Sequence, residues 1–146
     1  MKNILYSFDT ATINFAKRIF IPAIRFSLFV VYFWFGILKL VGSSPANPLV
    51  ANLLEKTLPF LTFEQFIIGF GIYEMLIGVL FLIPKMEKLA VALLLPHMIM
   101  TTGPLVFLPQ ITWQSMFTPT LEGQYIIKNM LIISGALTII ANQKQK

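Results

Sequence analysis

Four apolar windows constrain this chain more than any other feature of its sequence. Each holds about 20 mostly apolar residues, enough for a helix rising 1.5 Å per residue to cross about 30 Å of hydrocarbon. They lie at about 19–42, 63–84, 87–109 and 122–141. Because 57% of the 146 residues are hydrophobic and only 12% are charged, the chain lacks the polar surface of a soluble domain. We therefore predict an all-α membrane protein with four transmembrane helices.

The connections between the spans predict how the helices are arranged. The turn at 84–88 is so short that spans two and three must be antiparallel neighbours, and alternating directions give an antiparallel four-helix bundle in one domain. In the first connection, the segment NPLVANLLEKTL predicts a short interfacial helix. Asn47 would cap this helix, Pro48 would take its first position, and the helix would end before Pro59.

A second interfacial helix is predicted for the N-terminal segment, residues 1–18. Asp9 or Thr10 has the residue type that caps a short helix. Lys17 and Arg18 would then face the lipid headgroups while the helix lies along the membrane surface.

Positive charge is distributed unevenly between the two sides of the predicted membrane. The net charge of +5 is not gathered in one patch, so the lipid bilayer rather than nucleic acid is the expected partner. By the positive-inside rule, both termini and the turn at 85–88 are cytoplasmic. Lys56 is the one basic residue in the predicted outer connections. Seven basic residues lie on the predicted cytoplasmic side: Lys2, Lys17, Arg18, Lys85, Lys88, Lys144 and Lys146.

Ionisable residues inside the spans are the candidate functional residues. A charge at the middle of a bilayer costs about 2.5–3.5 kcal/mol on insertion scales, so such a residue should face the inside of the bundle and find a partner. Helical spacing puts each one on a face with small or hydrogen-bonding residues, and such faces are expected to contact other helices. These faces carry Arg25, Tyr32, Gly36 and Lys39 in the first span, Gly71, Glu74 and Gly78 in the second, His97, Thr101 and Pro104 in the third, and Tyr125, Lys128 and Gly135 in the fourth.

Depth along the helices predicts which of these groups meet. At 1.5 Å per residue, Glu74 and His97 both lie about 15 Å from the nearer ends of their spans, at mid-membrane. Long cationic side chains would converge on that carboxylate from both directions, namely those of Arg25, Lys39 and Lys128. Two alternatives stay open. In the first, the side chains of Lys39 and Arg25 would extend to the lipid headgroups on their own sides of the membrane. In the second, Glu74 would have a purely structural role, as a polar contact that fixes the register of the helices.

The residue types present exclude several kinds of chemistry. The chain has no cysteine, which excludes disulfides, thiolate chemistry and iron–sulfur ligation within it. One histidine without a second ligand at metal-binding spacing predicts no metal site. No motif of an autonomous enzyme is present, so no catalytic residue is assigned. The candidate ligand-binding residues are Arg25, Tyr32, Lys39, Glu74, His97, Thr101, Tyr125 and Lys128.

Three segments together resemble the DoxX-like family of small bacterial membrane proteins. They are RFSLFVVYFWFGILKL with the SPANPLV that follows it, GIYEMLIGVLFLIPKMEKLA, and PTLEGQYIIKNMLIISGALTII. The resemblance covers about residues 19–141 and implies a four-helix bundle in the bacterial inner membrane. Some members are described as small subunits of a thiosulfate:quinone oxidoreductase, or as partners of redox proteins.

The resemblance and the buried polar residues lead to a first functional hypothesis. The chain would be a non-catalytic, accessory subunit of a quinone-linked membrane redox system. Glu74 and His97 would handle protons or hydrogen-bond a quinone carbonyl. Arg25 and Lys128 would tune the carboxylate.

Two rival hypotheses need no redox chemistry. The first is a small transporter or ligand-binding bundle, for which three buried cations against one buried acid favour an anion. The second is a structural subunit that stabilises a neighbour or a homo-oligomer.

Overall fold

The structure is a computed structural model that describes residues 2–143, with side chains from residue 9 onward. Lys144 and Lys146, which contribute to the predicted orientation, lie outside the described residues. The chain is mostly helical, with one small hairpin. Its elements are α1 (Lys2–Leu40), α2 (Asn47–Thr57), α3 (Phe63–Leu82), α4 (Glu87–Thr102), α5 (Pro104–Phe107), α6 (Pro109–Thr112), β1 (Trp113–Ser115), β2 (Thr118–Pro119), α7 (Leu121–Ile127) and α8 (Asn129–Ala141).

Four helical stretches of the described chain are long and apolar enough to cross a membrane. They are Asp9–Leu40, Phe63–Leu82, Glu87–Phe107 and Leu121–Ala141. The four predicted spans are therefore confirmed by length and composition, and the chain fits a multi-pass membrane protein.

The N-terminal segment is not a separate helix. α1 runs without a break from Lys2 to Leu40, so the predicted cap at Asp9 or Thr10 is wrong. No glycine or proline lies between residues 2 and 21, and a helix without such a breaker adds a backbone hydrogen bond for every further residue. At 1.5 Å per residue α1 is about 58 Å long, far more than the hydrocarbon core requires.

A glycine cap sets the other end of α1. Gly42 has a φ of 72°, a conformation that glycine adopts without the penalty that a Cβ carries. Its N–H donates to the Lys39 carbonyl at 3.2 Å, and the Ser43 N–H donates to the Leu38 carbonyl at 2.9 Å. This is a Schellman motif. The helix thus stops just after Lys39.

Glycines bring α1 and α3 into backbone contact. A Cβ placed on Gly36 would lie 2.6 Å from the Gly71 carbonyl oxygen, and one placed on Gly71 would lie 2.9 Å from the Gly36 carbonyl oxygen. One placed on Gly78 would lie 2.9 Å from the Phe33 nitrogen. No side chain fits at these distances, so glycine is required for this packing. The small-residue faces predicted for the first two spans do contact each other.

The remaining helices pack around this pair. α4 contacts α3, and α8 contacts both α1 and α4. The apolar core lies toward the connection between α3 and α4, where Ile77, Phe81, Leu94 and Ile139 are fully buried. The helix ends on the opposite side leave space between them.

The helix α2 lies where the sequence predicts one. It ends at Thr57, before Pro59, but its cap residue is Ala46, which makes no side-chain cap hydrogen bond. The prediction that Asn47 is the cap is therefore wrong by one residue. A turn accounts for the shift, because the Ser44 carbonyl accepts from the Asn47 N–H at 3.1 Å.

The last two spans depart from simple helices. The helix of the third span is interrupted after Thr102. Pro104 has no N–H to continue the backbone hydrogen bonds of α4, and it begins the short helix α5 instead. The fourth is interrupted at Lys128, between α7 and α8. Between these spans, β1 and β2 form a small antiparallel hairpin, and the described chain as a whole agrees with the predicted all-α membrane protein.

Candidate functional site

Glu74 is the centre of a buried polar cluster formed by three helices. Its Oε2 accepts a hydrogen bond from Lys39 Nζ at 2.6 Å, and its Oε1 lies 3.0 Å from His97 Nε2. Lys39 is 4% exposed, Glu74 5% and His97 3%. We call these three residues the Glu74 cluster. The proximity of Glu74 and His97 agrees with the equal depth predicted for them.

Backbone packing places Lys39 against Glu74. Gly71 lies one turn before Glu74, and a Cβ on it would lie 3.2 Å from the Lys39 Cβ. At this level α3 has already run about 12 Å from its start at Phe63. The end of α1 therefore lies beside the middle of α3. Lys39 does not extend to the headgroups, because it is surrounded by protein.

His97 is held between aromatic rings. Its ring stacks on Phe70 with centroids 5.0 Å apart and planes 9° apart, and it contacts the Tyr32 ring edge-on at 5.2 Å. His97 Nδ1 is buried and has no hydrogen-bond partner among the described residues. A proton on Nδ1 would be a buried donor without an acceptor, which is costly. The hydrogen bonding therefore assigns the proton of the neutral ring to Nε2, where Glu74 accepts it.

Tyr32 supports this cluster without joining it through a hydrogen bond. It is 3% exposed, and its hydroxyl donates to the Met98 sulfur at 3.8 Å. Its ring covers one side of His97. The predicted candidate Tyr32 thus shapes the surroundings of the imidazole.

A cavity of about 1200 Å³ borders the Glu74 cluster. Typical small-molecule sites have volumes of about 300–1,000 Å³ and combine apolar walls with a few placed polar groups. Most residues of this wall are apolar, and they come from α1, α2, α3, α4, α5, α7 and α8. The polar and charged ones are Tyr32, Lys39, Ser44, Thr57, Glu74, His97, Thr101, Glu122, Tyr125, Lys128 and Asn129.

Thr101 lines the cavity next to the cluster. Its hydroxyl donates to the His97 carbonyl at 3.0 Å and accepts from Asn129 Nδ2 at 3.4 Å. It therefore connects α4 to the start of α8. Asn129 was not among the predicted site residues, since an asparagine beside a lysine carries no distinctive pattern.

Lys128 lines the cavity without reaching the Glu74 carboxylate. No ion pair joins the two residues, and Lys128 Nζ lies 5.1 Å from the centre of the Tyr125 ring. The predicted convergence of Lys128 on Glu74 is therefore wrong. An exposed ammonium is stabilised by the face of an aromatic ring, and Tyr125, itself 60% exposed, supplies that face.

Arg25 belongs to a second cluster at the other end of the helices. Its guanidinium forms an ion pair with Glu87 and lies 3.5 Å from the Phe81 carbonyl oxygen. The other Glu87 oxygen accepts from Gln143 Nε2 at 2.6 Å. The predicted convergence of Arg25 on Glu74 is wrong, because a closer carboxylate satisfies it at its own depth.

The sequence carried a signal for Glu87 that the prediction missed. Glu87 is 3% exposed, although it lies in the first turn after the connection. Glu87 lies at helical spacing from three other buried residues of α4, namely Ala90, Leu94 and His97. That spacing places Glu87 on the inward face rather than among the exposed residues of the turn.

We expect Glu87→Ala to lower the free energy of unfolding by about 2–3 kcal/mol, because it leaves a partly buried guanidinium without its carboxylate. Unfolding in dodecyl maltoside with added SDS, followed by circular dichroism, measures the change. Lys88→Ala is the control, since Lys88 is exposed and next in sequence. Equal stability of the two variants would contradict the Arg25–Glu87 pair.

Metal ligation and comparisons with known proteins add no further assignment to this site. Among the described residues, no three metal-ligating side chains come together. No protein-family model, curated protein or solved structure matches the chain.

Proposed function

We propose that this protein is a DoxX-like accessory subunit of a membrane redox system and that it binds a lipid-soluble quinone in the cavity. One observation carries the proposal. A buried ion pair with a histidine beside it lies in the wall of a largely apolar cavity of about 1200 Å³. Charged groups inside a membrane are expensive and are usually kept for function.

The proposed setting is an antiparallel four-helix bundle in the bacterial inner membrane, with both termini in the cytoplasm. The packing of α1 on α3, of α4 on α3, and of α8 on α1 and α4 supports the bundle. The excess of lysine and arginine on one side supports the orientation. The partner would be another redox subunit, or a second copy of this chain.

The polar groups of the cavity fit a quinone. The Lys39 ammonium has more N–H donors than the one that Glu74 accepts, and it lines the cavity. It can therefore donate to a carbonyl oxygen of the ligand. The apolar walls suit a ring and a hydrocarbon tail.

Each residue of the cluster has a distinct role in this proposal. A bound quinone would supply the electron-accepting carbonyl groups. Lys39 holds and polarises a carbonyl oxygen. Glu74 accepts or returns a proton through its hydrogen bond to Lys39, and His97 orients the carboxylate through Nε2. The apolar lining keeps water away from the ion pair.

Binding of decylubiquinone to the protein in lipid nanodiscs tests the proposal, and calorimetry measures it. We expect Glu74→Gln to raise the dissociation constant about tenfold, equal to about 1.4 kcal/mol, because Lys39 loses the ion pair that positions it. Glu64→Gln is the matched control, with the same change at an exposed position of α3. If Glu74→Gln does not fold, the double variant Lys39→Met with Glu74→Gln replaces it. Equal binding by the wild-type protein and the cluster variant would refute the site.

A second candidate function is transport of a small anion. Lys128 lines the cavity, is exposed, and has no ion pair with a described carboxylate. A cation without a carboxylate attracts anions. The excess of buried positive charge is smaller than the sequence predicts, because Arg25 and Lys39 each have a carboxylate partner. Anion uptake into liposomes without quinone binding would favour transport. The absence of both anion uptake and quinone binding would favour a structural subunit.

A further inference from the structure

The cavity extends between α1 and the junction of α7 with α8, since residues of both line it. Nearer the apolar core these helices touch, since a Cβ on Gly135 would lie 3.3 Å from Ile24 Cγ2. Further along, Phe35 on α1 and Leu131 on α8 both line the cavity. The two helices therefore have the cavity between them at this level.

Two side chains that line the cavity between these helices are apolar and exposed although they belong to membrane-spanning stretches. Phe35 is 47% exposed and Leu131 is 74% exposed, and both lie within spans. In a bilayer, such exposed apolar side chains face acyl chains rather than water. The space between the two helices therefore borders the hydrocarbon at Phe35 and Leu131.

The helix α2 covers another part of the cavity. Leu53 and Leu54 of this helix line the cavity, and Leu54 is 5% exposed. Lys56 Nζ donates to the Phe107 carbonyl at 3.0 Å and fastens α2 to α5. A molecule arriving at this part of the cavity would have to displace this helix.

The charges at the cluster favour a neutral ligand head. Lys39 and Glu74 form an ion pair, so their charges cancel, and a buried anion would add a charge without a partner. A neutral carbonyl oxygen takes an N–H of Lys39 without that cost. The apolar remainder of such a molecule would lie along Phe35 and Leu131 toward the bilayer.

We infer that the ligand enters and leaves sideways from the bilayer, through the gap bounded by Val31, Phe35, Lys128 and Leu131, which we call the lateral opening. This restricts the ligand class to molecules dissolved in the membrane, with a neutral hydrogen-bond-accepting head and an apolar tail. The inference depends on the proposed function, because it concerns access to the same site.

Site-specific blocking tests the inference, and the absence of cysteine in the chain makes the labelling selective. Leu131→Cys, labelled with pyrene maleimide after folding, places a bulky group in the lateral opening. Leu137→Cys is the matched control, because Leu137 is 52% exposed on the same helix and does not line the cavity. Thr57→Cys places the same label at the exposed end of α2, on the loop side. Stopped-flow fluorescence measures decylubiquinone association in nanodiscs for each variant before and after labelling.

We expect the label at residue 131 to slow association about tenfold and the other two labels to leave it within about twofold. Slowing by the label at residue 57 but not at 131 would overturn lateral access, with ligand binding itself intact. Equal rates for all labelled variants would also overturn it. No binding to the unlabelled protein would overturn the proposed function as well, and this outcome is distinct from the other two.

Discussion

Glu74→Gln is expected to lower the free energy of unfolding by about 3 kcal/mol, because it leaves the buried Lys39 ammonium without a carboxylate. Lys39 is 4% exposed and its Nζ lies 2.6 Å from Glu74 Oε2, so the substitution removes the carboxylate in direct contact with a buried ammonium. The measurement is SDS unfolding of the purified protein in dodecyl maltoside, followed by circular dichroism.

A double-mutant cycle identifies the partner of Glu74. Combining Glu74→Gln with Lys39→Met should give a coupling energy of about 2 kcal/mol, since the two residues are in direct contact. Cycles with Arg25→Met and Lys128→Met should give less than about 0.5 kcal/mol, because neither cation contacts Glu74. Strong coupling to Lys128 or Arg25, with none to Lys39, would contradict the cluster.

Gly36→Ala is expected to destabilise the protein by about 2 kcal/mol or more, because the added methyl group forces two backbones apart. The new Cβ would lie 2.6 Å from the Gly71 carbonyl oxygen and 3.1 Å from the Met75 backbone nitrogen. Backbone atoms cannot move aside as a flexible side chain can. The same contact sets the distance between α1 and Glu74, so ligand binding should also weaken.

Gly69→Ala supplies the matched control on α3. A Cβ there would meet no atom within 4 Å, and alanine favours a helix over glycine by about 1 kcal/mol. Its stability should equal or slightly exceed that of the wild-type protein. The same SDS titration compares the two variants, and equal effects would mean that glycine contacts do not hold α1 against α3.

Local sequence patterns were sufficient for the spans and less reliable for the helix ends. Hydropathy depends on neighbouring residues only, so the four apolar stretches could be located without knowledge of packing. The cap prediction at Asp9 and Thr10 failed because nothing in that segment prevents the helix from continuing. The cap at Asn47 was displaced by the Ser44 turn, a local feature too weak to recognise in advance.

Prediction of the polar site succeeded for the contacts of Glu74 with His97 and Lys39 and failed for those with Arg25 and Lys128. Glu74 and His97 lie on helices joined by a short turn, so their depths could be compared along the chain. The depths of Arg25 and Lys128 were also known, but not their nearest partners. Arg25 meets Glu87, and Lys128 lies over the Tyr125 ring.

The amino-acid sequence alone determined that the chain has four apolar stretches and which ionisable residues lie inside them, because both are properties of short segments. Tertiary structure decided which of those residues pair. Pairing depends on how far one helix slides along another, and here backbone contact at Gly36 and Gly71 sets that position. α1 ends at Leu40, just before the cap at Gly42, and this leaves Lys39 beside the middle of α3. Helical periodicity specifies the face of each residue but not this displacement along the helix axis.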